Sequence, residues 1–166
     1  MAVDFKKPLC VTVSKETIFG ICDDAPPSVN PAYLSFANAE EWIAWVDNEQ
    51  KKEITFTAID HCVEILRPNG EKESSCDGML NYDRTVKFIE LKDRDSGRWL
   101  GKAIDQLEIT IKTYKASLGL AAFDRHFAYV ANKQRPYFKA ASTALSQEFE
   151  DETGFVLHVE HVIKID

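Results

Sequence analysis

The chain has 166 residues, of which 45% are hydrophobic and 28% charged, and a formal net charge of −7. One domain's length with an average composition excludes wholesale disorder, a collagen-like fibre and a membrane bundle, and no apolar stretch is long enough to cross a bilayer. The acidic balance argues against nonspecific binding of polyanions, which needs a basic surface.

The N-terminal Met1-Ala2-Val3-Asp4-Phe5-Lys6-Lys7 lacks the layout of a signal peptide, so a cytoplasmic location and no membrane contact are expected. Leu9 to Ser14 and Thr17 to Cys22 are β-rich runs around a polar break and predict a small hairpin. Asp23-Asp24-Ala25-Pro26-Pro27 with Pro31 is the linker-like stretch. It divides the chain into an N-terminal appendage, residues 1–35, and a main α/β domain, residues 36–166. Asn38 and Glu41 resemble a capping box, with Trp42, Ile43, Trp45 and Val46 as the apolar side of a short helix.

Ile54 to Leu66 reads as a long strand, with Ile54, Phe56 and Ala58 on one face and Ile59, Val63 and Ile65 on the other. Arg67-Pro68-Asn69-Gly70 marks a turn. Strands from about Ser75 to Tyr82 and from Thr85 to Lys92 flank Asp83-Arg84, the latter apolar on both faces as in a buried strand. Residues 97–118 predict a helix whose stripe is Leu100, Ile104, Leu107, Ile111, Tyr114 and Leu118, capped by Ser96 and Gly119. His126 to Asn132 is a strand, 137–152 a helix stopped by Gly154, and Phe155 to Ile165 a last strand. The order implies a mixed sheet with helices packed on it. Cys10, Cys22, Cys62 and Cys76 form no Cys-x-x-Cys pair, and buried reduced thiols are expected.

Charge is unevenly divided. Residues 1–83 carry 7 basic and 15 acidic side chains, 84–115 carry 8 and 5, and 116–166 carry 5 and 7. The basic excess therefore sits in the middle, and Arg125, Lys133, Arg135 and Lys139 form a smaller cluster later.

A hairpin centred on Asp83-Arg84 puts Asp77 opposite Glu90, and Lys92 shares their face. Centring the preceding hairpin on Asn69-Gly70 puts Cys62 opposite Asp77 and brings Asp60 diagonally beside it. Two carboxylates about 5 Å apart repel by roughly 3 kcal/mol at an effective dielectric near 20. A divalent cation reverses that sign, and oxygen donors suit Mg²⁺ or Mn²⁺.

Asp77, followed after twelve residues by Glu90-Leu91-Lys92, resembles the core motif of the PD-(D/E)xK nuclease superfamily, and from about residue 53 onward the order of elements is similar too. The resemblance implies a restriction-endonuclease-like α/β fold and Mg²⁺- or Mn²⁺-dependent hydrolysis of DNA, in DNA processing or in defence against foreign DNA. It implies Asp77, Glu90, Lys92 and Gln106 as catalytic residues, with the metal held by Asp77, Glu90, Leu91 and Asp60. Arg94, Arg98, Lys102, Lys133 and Arg135 are the expected contacts to nucleic acid. Cys76 stands where a proline often precedes the first aspartate. The acidic residue that many members take from an upstream helix has Glu40, Glu41 and Glu53 as candidates.

The alternatives are an inactive nuclease-fold protein serving as an interaction module and a plain surface salt-bridge cluster. A protein partner or a homodimer fits either. His61 and His126 read as satisfied strand histidines, and His158 and His161 as structural. The three tryptophans read as core, and Asp23-Asp24 and Glu148 to Glu152 as solvated charge runs.

Overall fold

The computed structural model describes residues 3–95, 97–136 and 143–166. The described strands are β1 (Val11–Ser14), β2 (Ile18–Cys22), β3 (Tyr33–Ser35), β4 (Ala44–Asp47), β5 (Ile54–Ala58), β6 (Gly78–Tyr82), β7 (Thr85–Lys92), β8 (Arg125–Asn132), β9 (Val156–Val159) and β10 (Val162–Lys164). Helix α1 (Trp99–Leu118) follows β7, and α2 (Thr143–Thr153) follows β8. Six strands form one mixed sheet in the order β1-β5-β6-β7-β8-β9, and four form a second in the order β10-β4-β2-β3.

The central hairpin forms in the register its turn dictates. Asp83 takes a positive φ of 49°, as a tight two-residue turn requires, and pairing runs from Tyr82 opposite Thr85 to Gly78 opposite Ile89. Strands β7 and β8 are parallel, as are β8 and β9. Parallel neighbours need long crossovers, which α1 and α2 supply. Both helices contribute to one cluster with Phe88, Leu107, Ile111, Tyr114, Phe149 and Phe155. The opposite face is covered by the second sheet, where Phe19, Ile21 and Val46 meet Phe56, Leu80 and Ile89. A strand with helices on one side and a sheet on the other must be apolar on both faces, which accounts for Phe88 and Ile89 side by side in β7.

Lys87 is one of the polar residues buried in that strand. It is 2% exposed, lies over the rings of Tyr82, Phe127 and Tyr129, and donates to the Lys164 carbonyl at 2.6 Å. It thereby ties β7 to β10 across the layers. Burial pulls its pKa down to about 8.

The predicted α/β class, the turn at Asp83-Arg84, β7, the α1 stripe as far as Tyr114, and the Gly119 and Gly154 stops all occur. Leu118, the last stripe residue, is exposed. No described helix is long and apolar enough to cross a membrane.

Four expectations are corrected. The runs at Val11–Ser14 and Ile18–Cys22 form no hairpin with each other, because β1 pairs with β5 in the large sheet while β2 pairs with β3 and β4 in the small one. No helix forms over Trp42 to Val46: a 3₁₀ turn at Ala39–Glu41, with no side-chain cap from Asn38, leads into strand β4 from Ala44. Its apolar residues pair with β2 and cover the sheet, so burial there overrides the capping pattern. The single strand from Phe155 to Ile165 is two, β9 and β10, one in each sheet. Cys10 and Cys62 form a disulfide, whereas Cys22 and Cys76 are free and buried. The Ser96 cap, Lys139 and the 137–142 part of the second helix lie outside the described residues.

Strand β2 holds the second sheet against Trp42 through Gly20, where an added Cβ would stand 2.1 Å from the indole Cγ. Gly20→Ala is therefore expected to cost about 1–3 kcal/mol of stability, read as a lower urea midpoint. A midpoint equal to wild type would show that Trp42 can move aside.

Candidate active site

Extending the β6–β7 register one step beyond Gly78 and Ile89 puts Asp77 opposite Glu90, as the sequence predicts. The pair is cross-linked: the Asp77 amide donates to Glu90 Oε1 at 3.2 Å, and the Leu91 amide donates to Asp77 Oδ2 at 2.7 Å. Both carboxylates are removed from water, with Asp77 7% and Glu90 1% exposed. Lys92 Nζ stands 3.0 Å from Glu90 Oε2 and donates to Gln106 Oε1 at 2.8 Å. Gln106 sits on the flank of the α1 stripe and in turn donates to the Ser75 carbonyl at 3.2 Å. Its amide thus spans from the helix to the approach of β6 and fixes the lysine from behind.

These side chains line a cavity of about 380 Å³ at the carboxyl end of β7, where the chain leaves toward α1. Its other walls are Asp23, Asp24 and the loop to Ser28, Asp60, His61, Asp93 and Arg94. Asp60 arrives there by a route the sequence does not show. β5 pairs with β6 three residues out of the expected register, so that Ala58 faces Gly78 and the Ile59 amide donates to the Asp77 carbonyl at 2.9 Å. The strand then stops, and a tight turn with His61 at φ 64° takes the place of the long strand to Leu66. Cys62 therefore does not face Asp77, although the alternation of Ile54, Phe56 and Ala58 against Ile59, Val63 and Ile65 is kept. Asp60 is held by Lys72 Nζ at 2.7 Å and His61 Nε2 at 3.3 Å.

Asp23 is the residue that sequence reasoning missed. It follows the last residue of β2, so the second sheet delivers it to the pocket. Burial, the charges of Asp77 and Asp60, and a side-chain hydrogen bond with Asp77 push its pKa up to about 7. Burial and then Glu90 hold Asp77 well above the usual carboxylate range. Burial also raises Glu90, opposed by Lys92. Of the expected upstream acids, Glu53 pairs with Lys15 and Glu40 lines a separate depression with Trp42 and Trp45. His61, set aside in the sequence, lines the pocket.

The expected nucleic-acid contacts are divided. Arg94 lines the cavity, and Arg98 and Lys102 are exposed at the start of α1. Lys133 is half-buried beside Trp42 and Trp45, and Arg135 is ion-paired with Asp95. Trp99 belongs to the helix-side core.

Among the described residues no three His, Cys, Asp or Glu side chains already stand as a coordination cage. The donor set itself fits a hard divalent cation. Asp77 and Glu90, removed from water, share the pocket with the half-buried Asp23 and Asp60 and with Lys92, which meets Glu90, and burial raises the pKa of Asp77, Glu90 and Asp23, favouring protons that such an ion would displace. The chain matches no family model, no curated protein and no solved structure.

An aspartate whose folded pKa lies above its unfolded value contributes stability that is present below the unfolded pKa and lost as pH rises through the folded one. Without metal, the wild type should therefore lose stability relative to Asp23→Asn from about pH 4 to about pH 7. Urea titrations in chelator at several pH values read this difference. Parallel pH profiles for the two proteins would remove Asp23 from the coupled carboxylates.

Proposed function

We propose that the chain is a divalent-metal-dependent nuclease that hydrolyses phosphodiester bonds of DNA. The observation that carries this reading is Asp77 opposite Glu90 with Lys92 on the same face, all three lining one pocket. The run β5-β6-β7-α1-β8-α2-β9 supports it as well, because it resembles the restriction-endonuclease-like core in which such a motif is found.

Asp77 and Glu90 would hold the ion, with Asp60, Asp23 and the main chain at Leu91 in reach of the same pocket. The ion would be Mg²⁺ or Mn²⁺, and it would acidify a bound water and neutralise charge developing on the phosphate. The remaining steps belong to the chain's own groups. Lys92, fixed by Glu90 and Gln106, keeps an N–H to offer a water or a phosphate oxygen. Gln106 acts through Lys92 and is a positioning residue. Arg94 at the cavity and Arg98 and Lys102 beyond it offer the cationic path for a phosphate backbone. With a net charge of −7, that path gives a grip that weakens as salt rises.

Cleavage of DNA should require Mg²⁺ or Mn²⁺, and Glu90→Ala and Lys92→Ala should each lower the rate by at least ~10²-fold while the protein stays folded. Gel assays with circular dichroism on the same samples check this. A folded protein that binds Mn²⁺ and cuts no DNA would favour the alternative, an inactive fold acting as an interaction module. A protein that binds no Mn²⁺ at millimolar concentration would end the metal-dependent reading.

A further inference from the structure

The Cys10–Cys62 disulfide ends on the turn that carries two pocket residues. Asp60 and His61 stand immediately before Cys62, and both line the carboxylate cavity. His61 adopts a left-handed φ of 64°, a conformation that costs a residue with a Cβ about 1–2 kcal/mol. The turn's main-chain anchors are the Asp60 amide, which donates to the Cys76 carbonyl at 3.1 Å, and the amides of Cys62 and Val63, which donate to the Ile59 carbonyl at 3.0 and 2.8 Å, with Ile59 and Val63 buried on either side. Lys72 on Asp60 and Lys7 on the Cys62 carbonyl add side-chain contacts that solvent reaches and screens.

The other half of the bridge sits where the sheet ends. Cys10 immediately precedes β1, an edge strand whose first pair is Val11 opposite Thr57, and β5 stops one residue later. On the β6 side backbone pairing runs on to Asp60, whereas on the β1 side it ends at Thr57, and the disulfide fastens the far arm of the turn, at Cys62, to that edge. It links residues 52 apart in sequence, with Cα atoms 5.8 Å apart.

We propose that this disulfide is a redox switch on the pocket: closed, it fixes the turn presenting Asp60 and His61, and opened, it frees that turn and weakens the hold on a divalent cation. The inference rests on the metal-dependent reading of the site. A dithiol reductant supplies the two electrons. Its thiolate attacks the sulfur of Cys62, the more exposed partner, and expels Cys10 as thiolate. Its second thiol then displaces Cys62, leaving a reductant disulfide and two cysteine thiols that take up the reductant's protons. Cys22 and Cys76 stay out of the exchange, since both are buried and burial raises both thiols.

The test uses the whole chain, oxidised and dithiothreitol-reduced, with Mn²⁺ titrated calorimetrically and amide exchange followed by mass spectrometry. Reduction should weaken Mn²⁺ binding ~10-fold, the scale of losing support around a metal ligand. Exchange should rise at residues 59–63 while α1 stays protected. Cys10→Ser should bind Mn²⁺ as the reduced protein does, with or without reductant. Equal affinity and equal exchange in the two redox forms would overturn the switch, as would an oxidised sample in which Cys10 and Cys62 remain thiols. An intact difference in Mn²⁺ affinity without DNA cleavage in either form would support the switch and sink the nuclease alone. Mn²⁺ binding by neither form would sink both.

Discussion

Asp77 and Glu90 face each other across a two-stranded register, nearly out of contact with water, and the rest of the pocket is arranged around that unfavourable pair. Two carboxylates so placed cannot both be ionised cheaply without a compensating charge. Lys92 meets Glu90, and the Leu91 amide meets Asp77, yet burial still drives both acids toward their protonated forms. The stability of the pocket and its proton content are therefore linked quantities.

Each layer of the fold contributes one part of that arrangement. The large sheet fixes the carboxylate pair, because the register of β6 and β7 cannot slip by one residue without exchanging the helix-facing and sheet-facing side chains of both strands. Helix α1, anchored by Leu107 and Ile111, brings Gln106 to the lysine. The second sheet, resting on Phe56, Leu80 and Ile89, extends Asp23 over the cavity. The turn after β5 adds Asp60 and His61, and the bridge to Cys10 connects that turn to the sheet edge. Pocket geometry therefore depends on contacts from the first fifth of the chain as much as on the strands that carry the motif.

What the sequence made legible follows from range. The β6–β7 hairpin and α1 are specified locally, by a two-residue turn and by a helical stripe, so strand register alone places Asp77, Glu90 and Lys92 on one face, whereas Gln106 is singled out only by the family resemblance. β5 was not so constrained: thirteen alternating residues read as one strand, whereas a left-handed His61 ends it early and shifts the pairing with β6 by three positions. The destinations of β1, β2, β4 and β10 are set by pairing between segments far apart in the chain, which periodicity does not encode. Asp23 was unreadable for that reason. Beside Asp24 and two prolines it has the look of a solvated linker, and only the packing of the second sheet on the large one turns it into a wall of the pocket. The Cys10–Cys62 pair likewise depends on β1 lying next to β5.

We propose the buried carboxylates as a cation site. Anomalous scattering from a crystal soaked in Mn²⁺ tests it most directly. A peak is expected between Asp77 and Glu90, within coordination distance of an oxygen from each, and is expected to be lost in Glu90→Ala. Well-ordered carboxylates in the soaked crystal with no anomalous density between them would contradict it.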